Sequence, residues 1–125
     1  DDVIVVFKAY PTRVGEGPFA TEISPEKSNE LGIEEFGTVT RRQRRIGLWD
    51  GKMARYSATI NGCTQAAITG IDRVDPACFG VTEYDQLTTR AKDFIARAEK
   101  DIGKPVTLIS TGPEMTQIID LRGEL

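Results

Sequence analysis

Ala98-Glu99-Lys100-Asp101-Ile102-Gly103-Lys104-Pro105-Val106-Thr107-Leu108-Ile109 takes the chain out of a helix and into a strand, and this passage decides the fold class. Upstream, Leu87, Ala91, Phe94, Ile95, Ala98 and Ile102 recur at the helical period, which predicts a helix over residues 84–101. Gly103 stops it, Lys104-Pro105 leads out, and the apolar run Val106–Ile109 reads as a strand. Working outward, residues 3–9 are near-continuously apolar and β-branched, the pattern of a strand covered on both faces. Residues 64–71 read as another buried strand and 117–121 as a last short one. Ser24-Pro25 opens a short helix ending near Gly32. Asp50 can cap a further helix on which Met53, Tyr56 and Ile60 form the apolar stripe, ended by Asn61-Gly62. Strands alternating with helices predict an α/β fold with a mainly parallel sheet and flanking helices. Ligands in such sheets bind beyond the carboxyl ends of the strands.

The chain has 125 residues, 39% hydrophobic and 28% charged, the composition of an ordinary globular domain. The formal net charge of −3 disfavours non-specific nucleic-acid binding, which draws on excess Lys and Arg. Nothing approaches the apolar length of a membrane span. Histidine is absent, and Cys63 and Cys78 stand far apart, so no ordinary zinc site can be assembled. Both thiols read as small packing residues in a reducing compartment. The chain opens Asp1-Asp2, without Met, directly into an apolar strand, and the expectation is an excerpt of a longer polypeptide.

Two stretches carry unusual chemistry. Lys8-Ala9-Tyr10-Pro11-Thr12-Arg13-Val14-Gly15-Glu16-Gly17-Pro18-Phe19 combines closely spaced Gly and Pro, which lets backbone approach a ligand closely or simply makes a tight surface loop. Glu35-Phe36-Gly37-Thr38-Val39-Thr40-Arg41-Arg42-Gln43-Arg44-Arg45 sets Arg at four of five successive positions. Guanidinium forks pair bidentately with carboxylate or phosphate, so this loop suits a small dicarboxylate or a phosphomonoester. A solvated basic loop and an RNA-binding arm are the other readings; the acidic remainder and the lack of interleaved aromatics weigh against RNA. Asp72 and Ser110-Thr111-Gly112 follow strands, and taken alone read as helix-cap and turn residues.

These blocks, together with Thr69-Gly70-Ile71-Asp72 and Ile109-Ser110-Thr111-Gly112-Pro113 in the same order, resemble the adenylosuccinate synthetases over nearly the whole chain. The resemblance implies that residues 1–125 are the C-terminal portion of a GTP-dependent ligase, P-loop NTPase-like when whole. It joins IMP to L-aspartate through a 6-phosphoryl-IMP intermediate. It further implies that Thr38, Val39, Thr40, Arg41, Arg42, Gln43 and Arg44 form the aspartate-binding loop. Arg42 and Val14 would contact IMP. Arg44, Gly70, Ile71, Asp72, Ser110, Thr111 and Gly112 would lie on the GTP side. An Asp at the place of Asp72 can accept from guanine N1–H and the 2-amino group together, a donor pair adenine lacks.

The sequence departs from the family's pattern at Gly70, where Lys is usual, and at Val39, Arg41 and Gln43, where Thr, Gly and Arg are usual. The phosphate loop, the Mg²⁺ ligands, the catalytic base and the catalytic His belong to the family's N-terminal part. No catalytic residue and no metal ligand is therefore expected here. The resemblance also implies a cytoplasmic homodimer that binds neither nucleic acid nor membrane. A homologue that binds nucleotide or amino acid without turnover is the alternative.

Overall fold

The computed structural model describes residues 1–124, which divide into two compact units, residues 1–9 with 51–124, and Tyr10–Asp50. The larger unit holds a four-stranded sheet in the order β1-β4-β5-β6. These are β1 (Ile4–Lys8), β4 (Gln65–Thr69), β5 (Val106–Ser110) and β6 (Ile118–Asp120). β4 pairs parallel with β1 and with β5, and β6 returns antiparallel on β5. The expected α/β architecture with a mainly parallel sheet is what the chain forms.

The helices of this unit are α2 (Gly51–Ile60), the single turn α3 (Ile71–Val74) and α4 (Thr89–Ile102). α4 starts five residues later than its apolar period suggests, because Tyr84–Gln86 forms a separate 3-10 turn. Thr88 caps it: its Oγ1 accepts from the Ala91 N–H at 3.3 Å and donates to Asp75 at 2.7 Å. That bond, with the Ala77 N–H, holds the Asp75 carboxyl below its usual range. Gly103 closes α4 in the left-handed region at φ 80°, where a residue with a Cβ is strained.

Two expectations need correction. Within the described residues β1 is not covered on both faces: Val6 is 63% exposed. The α2 stripe of Met53, Tyr56 and Ile60 faces outward at 60%, 61% and 62% exposure. Ala54 and Ala58 are the buried face instead, and α2 packs on α4, whose Ala91 and Ala98 are also buried. Alanine on both helices permits close approach of their backbones, and four residues of spacing satisfies the helical period as well as the larger stripe does. The carboxylate of Asp101 lies where a Cβ on Gly51 would stand, at the amino end of α2, where a negative charge is favoured.

Ile68, Ile71 and Ile109 are fully buried at the centre of this unit, and Ile119 nearly so. One polar pair is buried with them: Thr107 Oγ1 donates to Gln65 Oε1, which satisfies both groups out of water. Cys63 and Cys78 are buried and unpaired with each other, as packing residues would be. No helix among the described residues is long and apolar enough to cross a membrane.

The smaller unit contains α1 (Pro25–Leu31) and the antiparallel pair β2 (Thr12–Arg13) and β3 (Arg45–Ile46). Ser24 caps α1 by accepting from the Lys27 N–H at 3.1 Å, and Gly32 ends it at φ 68°. The two stretches read from sequence as loops are therefore strands of one small sheet where they meet.

Two outcomes follow for stability. Ile109→Ala is expected to lower unfolding free energy by about 2–5 kcal/mol in urea titration, since it empties the centre of the sheet. The Arg122 guanidinium, bonded at 2.9 and 2.7 Å, holds the Asp120 carboxyl down at about 2 from its ordinary 3.8. A depressed carboxylate contributes stability above its unfolded value and loses it as pH falls through the folded one. Asp120→Asn should therefore flatten the fall of Tm between about pH 4 and pH 2, by a small amount because the pair is exposed.

Candidate functional site

In the larger unit, the parallel register aligns Ile68 with Ile109, so Thr69 and Ser110 leave adjacent strands at the same end. The Ala9 N–H donates to the Thr69 carbonyl at 2.9 Å, which brings the end of β1 to the same edge. Gly70 follows at φ 82°, and α3 begins at Ile71. A Cβ at Gly70 would meet nothing closer than Arg73 Cδ at 3.8 Å and Ala9 Cβ at 3.9 Å, so the space is open and only the backbone conformation favours glycine.

Asp72 lies in the first turn of α3, half-buried, and its carboxylate makes no hydrogen bond or ion pair among the described residues. A carboxylate in that state is a ready acceptor for a pair of N–H donors. Ile71 is fully buried, so it offers a ligand backbone alone. Thr111 is likewise fully buried and holds its loop together: Oγ1 lies 2.8 Å from the Val81 carbonyl and 3.2 Å from that of Gln117. Ser110 Oγ donates to the Gly112 carbonyl at 3.0 Å. A Cβ on Gly112 would run into the Gln117 side-chain amide. Gly70 to Asp72 and Ser110 to Gly112 thus form one edge, with main chain and one free carboxylate exposed along it.

In the smaller unit, residues 35–44 fold into a tight hairpin. Phe36 bridges Gln43, the Gly37 N–H donates to the Arg42 carbonyl at 2.8 Å, and the Arg44 N–H donates to the Glu35 carbonyl at 2.7 Å. The Arg41 N–H closes the tip on the Gly37 carbonyl at 3.0 Å. Side chains alternate across such a ribbon, so Phe36 and Gln43 share one face while Glu35, Arg42 and Arg44 share the other. Thr38, Val39 and Thr40 form the exposed tip. Arg41 has φ 60°, a left-handed conformation that is costly for a residue with a Cβ.

The four arginines do different work. Arg45 is structural: Nε and Nη2 donate to the Glu22 carboxylate at 2.8 Å, and Nη1 and Nη2 donate to the Gly15 and Gly17 carbonyls at 2.9 and 2.8 Å. Its hydrogen bonds hold the Glu22 carboxyl below its usual range and raise its own. It also lies over the Phe19 ring at 5.7 Å. Arg13 adds bonds to the Pro18 and Glu16 carbonyls at 3.2 and 3.0 Å, so two guanidiniums shape the loop that displays Val14, 78% exposed.

Arg44 pairs with Glu35 at 3.3 Å, yet its Nε is buried without an acceptor among the described residues. Arg41 and Arg42 are exposed and make no ion pair among those residues. The hairpin therefore keeps cationic hydrogen-bonding capacity unspent on one face. Sequence alone identified the cation cluster; it missed Glu35 as the counterion of Arg44 and Arg45 as a scaffold, because only the ribbon's alternation separates them. No group of three or more His, Cys, Asp or Glu side chains among the described residues could hold a metal ion. The Mg²⁺ implied by the resemblance finds no ligand set among the described side chains.

The sequence model of the adenylosuccinate synthetase family matches residues 1–78. The adenylosuccinate synthetase of Archaeoglobus fulgidus is 64% identical over 124 residues, covering 99% of this chain and 37% of the relative. That of Methanocaldococcus jannaschii is 58% identical over 125 residues, covering 100% of this chain and 36% of the relative. The chain thus spans little more than a third of the curated relatives it matches. Among solved structures, a fully ligated adenylosuccinate synthetase from Plasmodium falciparum superposes with TM-score 0.84 at 26% identity, over 96% of this chain and 40% of that one. A cyanophage S-2L succinoaminodeoxyadenylate synthetase bound to dGMP and dATP shares the fold, with TM-score 0.69 at 21% identity.

Arg41→Gly is expected to raise stability by about 1 kcal/mol in urea titration, because glycine removes the left-handed strain. A loss of stability instead would mean that the Arg41 side chain makes compensating contacts.

Proposed function

The chain belongs to the adenylosuccinate synthetase family, and on that footing we propose that residues 1–125 are the C-terminal portion of a ligase joining IMP to L-aspartate at the expense of GTP. The observation that carries this reading is the hairpin face of Arg42 and Arg44, with a buried Arg44 Nε that meets no acceptor among the described residues. An L-aspartate molecule supplies two carboxylates to such a face, and Thr38 and Thr40 add hydroxyl donors beside it. In this reading the whole loop from Thr38 through Val39, Thr40, Arg41, Arg42 and Gln43 to Arg44 forms the aspartate site.

The nucleotide assignments follow the same reading. Arg42 and the exposed Val14 meet IMP. Arg44 reaches the GTP side, where Gly70, Ile71, Asp72, Ser110, Thr111 and Gly112 frame the guanine. Ile71 and Thr111 contribute main chain there, since their side chains are buried. Asp72 reads the base by accepting from N1–H and the 2-amino group, and adenine leaves that carboxylate unpaired.

In the reaction, IMP gives up its N1 proton as the γ-phosphoryl of GTP moves to O6, and GDP leaves. The aspartate amine then attacks C6, the C6–O bond breaks, and inorganic phosphate departs with the former O6. The amine surrenders a proton as adenylosuccinate forms. The contribution of this chain is positioning: two guanidiniums hold the carboxylates so that the amine, the one nucleophile left free, points at C6. Mg²⁺ accompanies GTP and would be held by residues outside this chain. The reading carries with it a cytoplasmic, homodimeric enzyme.

The intact natural polypeptide, supplied with IMP, L-aspartate, GTP and Mg²⁺, is expected to form adenylosuccinate, GDP and phosphate in equal amounts. Folded protein that binds these ligands and makes no product would instead support the non-catalytic homologue. Asp72→Asn should raise the KM for GTP at least about tenfold and narrow the preference for GTP over ATP, both read by steady-state kinetics.

A further inference from the structure

Gln43 sits between the two arginines of the hairpin, yet its side chain is turned away from them. Its Nε2 donates to Ser28 Oγ at 3.0 Å, across 15 residues of sequence. The Ser28 hydroxyl is committed as a donor to the Pro25 carbonyl at 2.8 Å, so it can only accept from Gln43, and this fixes which end of the amide points inward. The Asn29 side-chain amide lies 3.3 Å from the same Nε2.

Ser28 is a rigid anchor. It is 2% exposed, its N–H donates to the Ser24 carbonyl at 3.0 Å, and its carbonyl accepts from the Ile33 N–H at 3.0 Å. The helix that carries it is fixed by a side-chain cap at one end and a left-handed glycine at the other. The hairpin itself is closed by main-chain bonds and by the partly buried Arg44–Glu35 pair. A short two-stranded ribbon is marginal without an external tie.

We propose that Gln43 is a positioning residue, latched to Ser28, that sets the direction in which Arg42 and Arg44 present their guanidiniums. The physical reason is the pleat. Pinning one side chain of a ribbon on one face fixes the outward face of both its neighbours, and a rotation of the strand would move both cations together. A glutamine suits this post better than an arginine: it carries no charge to desolvate beside a buried hydroxyl, and its amide can donate there while its oxygen stays free. The proposal rests on the aspartate-site reading and refines it, moving Gln43 from ligand contact to support.

The test uses the intact polypeptide and the variants Gln43→Ala, Ser28→Ala and the double change. Each single variant is expected to raise the KM for L-aspartate about three- to tenfold, with kcat and the KM values for IMP and GTP within about twofold. The double variant should be no worse than either single one. Amide hydrogen exchange at Gly37, Arg41 and Arg44 should quicken by a similar factor in all three, with α4 unchanged as the control for folding. Additive losses, or a Ser28→Ala enzyme with the wild-type KM, would mean that Gln43 touches the ligand itself and would overturn the latch. Unchanged exchange in the hairpin would overturn it whether or not the enzyme turns over. A wild-type protein that forms no adenylosuccinate would sink the aspartate-site reading, while the exchange data would still decide the latch.

Discussion

The parallel pairing of β4 with both of its neighbours constrains everything else in the larger unit. Parallel strands share one direction, so their carboxyl ends lie on the same side of the sheet, and between β4 and β5 the chain must travel back before it can enter the next strand. All three departures, after Lys8, Thr69 and Ser110, therefore fall on one edge. Glycine in a left-handed conformation at Gly70 and the Thr111 hydroxyl clamp turn two of these departures sharply. Main chain and a carboxylate are left facing outward there because the side chains that could have covered them, Ile71 and Thr111, are committed to the interior.

The smaller unit solves a different problem, that of concentrating positive charge without dispersing it into solvent or losing it to internal ion pairs. Arg45 is saturated by Glu22 and two carbonyls, and by holding those carbonyls it stiffens the loop around Val14. Arg44 is half-satisfied by Glu35, which restrains it without neutralising its remaining donors. Arg42 and Arg41 are left to the outside. The gradation from fully paired to unpaired along four neighbouring arginines ties one end of the cluster into the scaffold and leaves the other open to solvent.

Much of this was legible in the residues. α4 and β5 were readable because a single apolar stripe and a single apolar run leave no rival face. α2 was readable as a helix but not as to its orientation, since Ala54 and Ala58 compete with Met53, Tyr56 and Ile60 at the same period, and hydrophobicity alone favours the larger set. β1 looked doubly covered because its residues are those of a central strand, whereas coverage depends on what lies alongside. The hairpin escaped notice because its register is written in main-chain bonds and in one left-handed residue, Arg41, where the side chain gives no sign of such a conformation. For the candidate site, the cluster of cations was visible in the arginines, and Asp72 stood out only through the order of motifs around it. The division of labour among the arginines needed the ribbon.

The smaller unit occupies residues 10–50, a single uninterrupted segment spliced between a strand and a helix of the larger one. Its β2–β3 pair, its α1 cap and its hairpin are each closed by hydrogen bonds among its own residues. No residue of this segment is a partner in the strand pairings of the larger sheet. The hairpin tip can lengthen, shorten or change its cations while every strand pairing of the larger unit stays as it is. That contiguity would let a lineage revise the cation-bearing hairpin as one cassette, leaving the strand-end edge with Asp72 as it is.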